Sequence, residues 1–242
     1  MCRSCSVPVD SGVKYCPNCG AYQGPAMQSD ASYKKKIIAM GIFYFVQVII
    51  CLILRFTDAF DFYPDKIYFE IPIFIMTLGF FFYNYRNLAP LLFFRRVSLK
   101  IALLVIPLSV VASFTVSFLV DLLNKAVFGN TYTYVYSFSF LDHKYLWMIL
   151  LSAAVPAFEE ELAYRGILYN QLKDFLRPGQ IIWVTSILFT TIHFSVFGAF
   201  WIIGFAWVAG WLRTKYQTLW YGIIIHFFFN ATAVTIDYLQ NE

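Results

Sequence analysis

From residue 37 onward the chain alternates long apolar stretches with short polar breaks, and a polar head containing Cys, Gly and Pro stands before them. The apolar stretches cover about 37–57, 67–84, 101–123, 145–170, 179–195, 197–212 and 216–237. A helix rising about 1.5 Å per residue needs about 20 apolar residues to cross a hydrocarbon core of about 30 Å. The pattern predicts seven or eight spans, so an all-α, polytopic transmembrane helix bundle. The stretch at 197–212 is short for a span and predicts a segment that tilts little or is partly re-entrant.

Composition supports this pattern. Of the 242 residues, 60% are hydrophobic, 21% aromatic and 13% charged, against roughly 45–50% apolar and about 25% charged in ordinary soluble domains. The net charge of +4 matters less than its distribution. If the amino end is cytosolic, that side collects Lys34, Lys35, Lys36, Arg86, Arg95, Arg96, Lys100, Lys173, Arg177, Arg213 and Lys215. The opposite side keeps Lys66, Lys125 and Lys144, beside Asp58, Asp61, Asp65 and Asp142. The excess of basic loops marks the cytosolic face. The first 36 residues lack the apolar run of a secretory signal, which also predicts a cytosolic amino end.

Four of the five cysteines stand as Cys2-x2-Cys5 and Cys16-x2-Cys19. This spacing predicts four thiolates around one tetrahedral zinc, a zinc ribbon. Two disulfides are disfavoured in a reducing cytosol. Four thiolates leave no position for water, so the zinc is expected to be structural. A protein partner is the expected target of the ribbon. Arg3 and Lys14 are the basic residues up to Tyr33, too few for a nucleic-acid footprint. Cys51 reads as a buried small hydrophobe. The organisation is then a ribbon over 1–22, a linker and basic anchor over 23–36, and a membrane domain over 37–242 with its polar core at 145–237.

Ionisable residues inside spans are costly and mark function by default. In the later spans they are Glu159, Glu160, Glu161 and Arg165, then His193, then His226 with Asn230. Glu161 and Arg165 are four apart and can pair on one helix face, while Glu160 points about 100° away and stays available. Phe189-x3-His193 and His226-x3-Asn230 each place two side chains on one face. Counted from the cytosolic end of each span, Glu160, His193 and His226 all fall at roughly 15–20 Å depth. Small residues near them, Ala153, Ala157, Ala163, Gly166 and Gly222 among them, allow close helix approach.

At these positions the chain resembles the CAAX prenyl protease type II and bacteriocin-processing (CPBP) family of intramembrane glutamic endopeptidases. Its motifs Glu-Glu-x3-Arg, Phe-x3-His and His-x3-Asn stand here as EELAYR (160–165), FTTIH (189–193) and HFFFN (226–230). The resemblance implies that Glu160 and His193 activate a water and that His226 and Asn230 stabilise the oxyanion. Glu161, Arg165 and Phe189 would support the site. It further implies a helical bundle with a cavity open to the cytosol, and a peptide substrate in or at the bilayer, prenylated or otherwise hydrophobic. Glu159 is an addition to the pattern, so the register of the glutamate pair rests on Arg165.

The chemistry is reasonable without the family: hydrolysis needs a base, oxyanion donors and a site that limits solvent. No metal is required by this reading. The alternative is a zinc peptidase with Glu160, His193 and His226 as ligands, although no His-Glu-x2-His helix is present. A non-catalytic scaffold or immunity-type protein is the alternative from another class. A proton-coupled transporter is a third, weakened by the lack of an internal repeat.

Overall fold

In a computed structural model, the structure describes residues 1–2, 5–10, 16–19, 30–56, 63–129, 133 and 135–241. Residues 23–29 of the expected linker and the acidic loop with Asp58 and Asp61 lie outside these. The chain divides into two compact units, Met1–Tyr44 and Phe45–Glu242. Among the described residues there is no strand.

Seven long helical segments coincide with the seven apolar stretches: α1 (Asp30–Phe56), α2 (Tyr63–Tyr83), α3 (Leu99–Phe128), α4 (residues 144–172), α5 (Pro178–Thr191), α6 (Ala199–Tyr216) and α7 (Trp220–Asn241). By length and composition, three described helical segments can cross a membrane: Lys34–Ile53, Leu99–Val127 and Trp220–Asn241. The segment at 197–212, short for a span by the sequence pattern, is not among these three, and α5 is shorter still. That segment is an 18-residue helix, whereas α5 has 14 residues and stops at Thr191. The physical sign of a bilayer environment is on α3, where Leu103, Leu104, Leu108, Val111, Phe114 and Phe118 all point outward. Water would not tolerate so continuous an apolar face on a free-standing protein.

α4 is not a regular helix. Two π-helical turns, Leu150–Ala154 and Leu162–Leu168, interrupt its α-helical turns. The first ends two residues before Pro156, whose ring nitrogen has no proton to give to the carbonyl four residues earlier. The second spans Arg165 and Gly166. Single π turns inside helices shift side-chain register, and they concentrate at functional sites.

α7 packs between α3 and α4, and α5 and α6 form an antiparallel hairpin. At one end of this unit, the Thr218 hydroxyl and Leu219 N–H donate to the Leu91 carbonyl, and Trp220 Nε1 donates to that of Leu92 at 2.7 Å. Arg96 donates to the Gln217 carbonyl, and Tyr169 and Thr214 share a hydroxyl hydrogen bond. At the other end, the Tyr145 and Thr235 hydroxyls bond at 3.0 Å and the Lys144 ammonium lies over the Tyr238 ring.

Small residues set the helix spacing as their positions predict. Ala153, Ala157 and Ala163 are fully buried. At Gly222 a Cβ would collide with the Glu161 carboxylate, so α7 approaches α4 at the distance only glycine allows. Arg165, wholly buried, donates through Nη1 to Glu161 at 2.8 Å and through Nη2 to the Ala206 carbonyl at 2.9 Å. Its guanidinium also lies 4.6 Å from the centre of the Phe189 ring. One cation thus joins α4, α5 and α6.

Two outcomes test this packing in purified protein by thermal unfolding in detergent. Arg165→Met leaves the Glu161 carboxylate buried without its cation and should destabilise by about 3–5 kcal/mol. Gly222→Ala should lose about 1–3 kcal/mol through overpacking, whereas Gly79→Ala, where a Cβ meets nothing within 4 Å, should be close to neutral.

Candidate functional site

The three consecutive glutamates of α4 have three different environments. Glu161 is fully buried and paired with Arg165, which fixes the Glu-Glu-x3-Arg register at Glu160 and Glu161. Glu159 turns the other way. Its Oε1 accepts from the Thr77 hydroxyl and from Gln47 Nε2 at 3.4 Å, and Gln47 Oε1 accepts from the Tyr164 hydroxyl at 3.3 Å. Glu160 keeps some exposure, and it faces a cavity of about 960 Å³.

His226 stands over the pair. Its Nε2 is 3.7 Å from Glu160 Oε2 and its Nδ1 is 3.5 Å from Glu161 Oε1. These distances exceed a hydrogen bond, and Glu160 Oε2 and His226 Nδ1 are buried without a hydrogen-bond partner. Buried polar atoms of this kind call for an explanation, and a catalytic role is one. The Phe205 ring meets the imidazole edge-on at 5.1 Å, and Phe189 does so at 6.0 Å.

His193 is not on the helix that the Phe-x3-His spacing predicts. α5 ends at Thr191, and His193 occupies the turn after it, its N–H donating to the Thr190 carbonyl. The next residue, Phe194, has a left-handed φ of 45°, a strained conformation for a bulky side chain. Phe189 and His193 nevertheless meet, with ring centres 4.7 Å apart and Nδ1 2.8 Å from the Phe189 carbonyl oxygen. A carbonyl only accepts, so Nδ1 carries the proton of the neutral ring and Nε2 keeps its lone pair. His193, His226, Asn230 and Glu160 all line the same cavity. The common depth inferred from residue counting is thus realised as one shared wall.

The polar groups that sequence reasoning did not single out are Gln47, Thr77 and Arg213. Gln47 and Thr77 hold Glu159, and the buried Arg213 donates through Nε to the Arg165 carbonyl at 3.1 Å. Gln47 and Thr77 were visible as polar residues within apolar stretches; Arg213 was masked by its place in a basic loop.

The four amino-terminal cysteines bring their sulfur atoms within 4.8 Å of one another. Cys2 and Cys19 sulfurs are 3.6 Å apart and those of Cys5 and Cys16 are 3.7 Å apart. A tetrahedron with Zn–S bonds of about 2.3 Å has edges of about 3.8 Å, so the residues present fit a metal ion. A hydrogen bond from the Val7 backbone holds the Cys5 thiol below its ordinary value, aided by the Asn18 amide, which favours the thiolate that a metal binds. Among the described residues this is the group whose ligand atoms gather for a metal; Glu160, His193 and His226 are not brought together in that way. Cys51 is half-buried rather than enclosed.

No curated protein and no solved structure matches the chain. A family model does match, over residues 142–232, and its description is Type II CAAX prenyl endopeptidase Rce1-like. That stretch contains Glu160, Glu161, Arg165, Phe189, His193, His226 and Asn230, so the site-bearing segment of this chain is similar to the Type II CAAX prenyl endopeptidase Rce1-like family.

Proposed function

We propose that the protein is an intramembrane endopeptidase that hydrolyses peptide bonds of membrane-associated, hydrophobic substrates with a glutamate-activated water and no catalytic metal. The observation that carries this reading is Glu160 Oε2, a buried carboxylate oxygen with no partner, on a cavity wall shared with two imidazoles and a carboxamide. A water bound there loses its proton to Glu160, with the His193 Nε2 lone pair as its second acceptor. Its oxygen attacks the scissile carbonyl. His226 and Asn230 supply N–H donors to the oxyanion, a contribution realised only as charge develops. Collapse of the tetrahedral intermediate breaks the C–N bond, and the proton held by Glu160 passes to the leaving amine. Glu161 and Arg165 fix the backbone from which Glu160 projects, and Phe189 packs against Arg165 and both imidazoles.

The match to the Type II CAAX prenyl endopeptidase Rce1-like family supports a peptidase whose substrate is a peptide at the membrane. Against the alternative of a zinc peptidase stands the lack of a His-Glu-x2-His helix in the sequence. The metal belongs to the amino-terminal unit, where the four cysteines hold a structural zinc.

The reading is tested with quenched fluorescent peptides, prenylated and unprenylated, and protein purified in detergent. Glu160→Gln and His193→Ala should each lower the cleavage rate by about 10²–10⁴-fold, the usual worth of acid–base catalysis. Glu159→Gln should stay within a few-fold of the parent, because Glu159 faces Thr77 and Gln47 rather than the cavity. Cleavage unchanged in the Glu160 and His193 variants would place the active site elsewhere. Elemental analysis should find one zinc per chain, lost in a Cys16→Ser, Cys19→Ser double variant.

A further inference from the structure

The cavity has a closed end and an open end, and the charges of the bundle identify them. Below Glu160 and His226 the interior is filled by Glu161, Tyr164, Arg165 and Tyr221, all fully buried. Beyond these lies the end joined by Leu91, Leu92, Arg96, Thr214, Gln217 and Thr218. In the opposite direction the cavity wall continues up α3 and α7 to Asp121, Asn124, Lys125, Asp237, Gln240 and Asn241. Lys125 and Asp121 pair at 2.7 Å with side chains 62% and 39% exposed, and Gln240 is exposed. The mouth is therefore at the carboxyl-terminal end of α7.

Basic residues are unevenly divided between these ends. Among the described residues of the second unit, the closed end carries Arg86, Arg95, Arg96 and Lys100 around the start of α3, Lys173 and Arg177 between α4 and α5, and Arg213 and Lys215 at the end of α6. The mouth end carries Lys66, Lys125 and Lys144 and the end of α1 with Arg55, together with Asp65, Asp121, Asp142 and Asp237. Eight against four, in or beside the connections between apolar helices, orients the closed end toward the cytosol.

We infer that the site is entered from the face of the membrane opposite the cytosol, and that its substrates are peptide segments presented on that face: exported peptides, or the outer juxtamembrane parts of anchored proteins. This rests on the peptidase reading and departs from the cytosolic opening that the family resemblance implies. The shape of the wall makes the entrance lateral as well. α3 and α7 are about 45 Å and 33 Å long, whereas α5 and α6 are about 21 Å and 27 Å. The tip of the α5–α6 hairpin, where His193 sits, is therefore a low rim within the bilayer. Val196, Phe197 and Phe200 on that rim are 81%, 48% and 80% exposed, as suits contact with lipid chains. A segment embedded in the outer leaflet can descend over this rim to Glu160 without crossing the membrane.

Two measurements on the full-length protein decide the matter. In sealed cells, a membrane-impermeant maleimide should label Gln240→Cys, at the mouth, and should label Lys173→Cys, at the closed end, only after permeabilisation; the parent protein gives the background. In sealed vesicles, a non-permeant peptide substrate should be cut by right-side-out preparations directly and by inside-out preparations only after detergent. Reversed labelling, or cleavage confined to intact inside-out vesicles, would overturn the inference and restore a cytosolic entrance. Absence of cleavage even in detergent would instead strike the peptidase reading, while the labelling pattern would still decide which face the cavity opens to.

Discussion

The ion pair between Glu161 and Arg165 is the constraint on which the rest of the site depends. Both side chains are fully enclosed, where an unpaired charge would be prohibitively costly, so each must find the other. Arg165 also reaches the Ala206 carbonyl on α6 and the face of Phe189 on α5. Glu161 lies against Gly222 and 3.5 Å from His226 Nδ1 on α7, and its second carboxylate oxygen is buried without a hydrogen-bond partner. Four helices, α4 to α7, are thereby referred to one buried charge pair. Its role is positional: it holds the backbone so that the next carboxylate along the chain points into open space.

Three successive glutamates with three destinies follow from helix geometry. Each step of about 100° turns the side chain to a new neighbour: Thr77 and Gln47 for Glu159, the cavity for Glu160, Arg165 for Glu161. The first is held by Thr77 and Gln47, and the third gives one oxygen to Arg165 inside the closed interior. The middle one retains a carboxylate oxygen without a partner. The separation of structural from available acid is then a property of rotation about one helix, reinforced by the π turn that begins at Leu162.

The same bundle distributes its charges by region. Buried cations lie between the site and the closed end, with Arg213 donating to the Arg165 carbonyl and Arg165 to Glu161. Acidic and amide side chains line the mouth. The short α5–α6 hairpin leaves one wall low, and the left-handed Phe194 turns the chain at its tip immediately after His193. The early end of this helix moves an imidazole from a helix face onto a turn.

The sequence by itself determined the all-helical architecture, the positions of seven helices, the Glu160–Glu161 register and the four-cysteine cluster. These follow from local information: apolar run length, i to i+4 spacing and Cys-x2-Cys pairs act within a few residues of each other. It also indicated that Glu160, His193, His226 and Asn230 share a depth, because rise per residue converts counting into height. Only the tertiary structure decided where α5 stops, that Glu159 is held by Thr77 and Gln47, and that His226 rather than His193 lies beside Glu160. Each of these depends on which helix faces surround a given side chain, and contacts between residues as far apart as Gln47 and Glu159, or Arg165 and Ala206, leave no periodic trace along the chain.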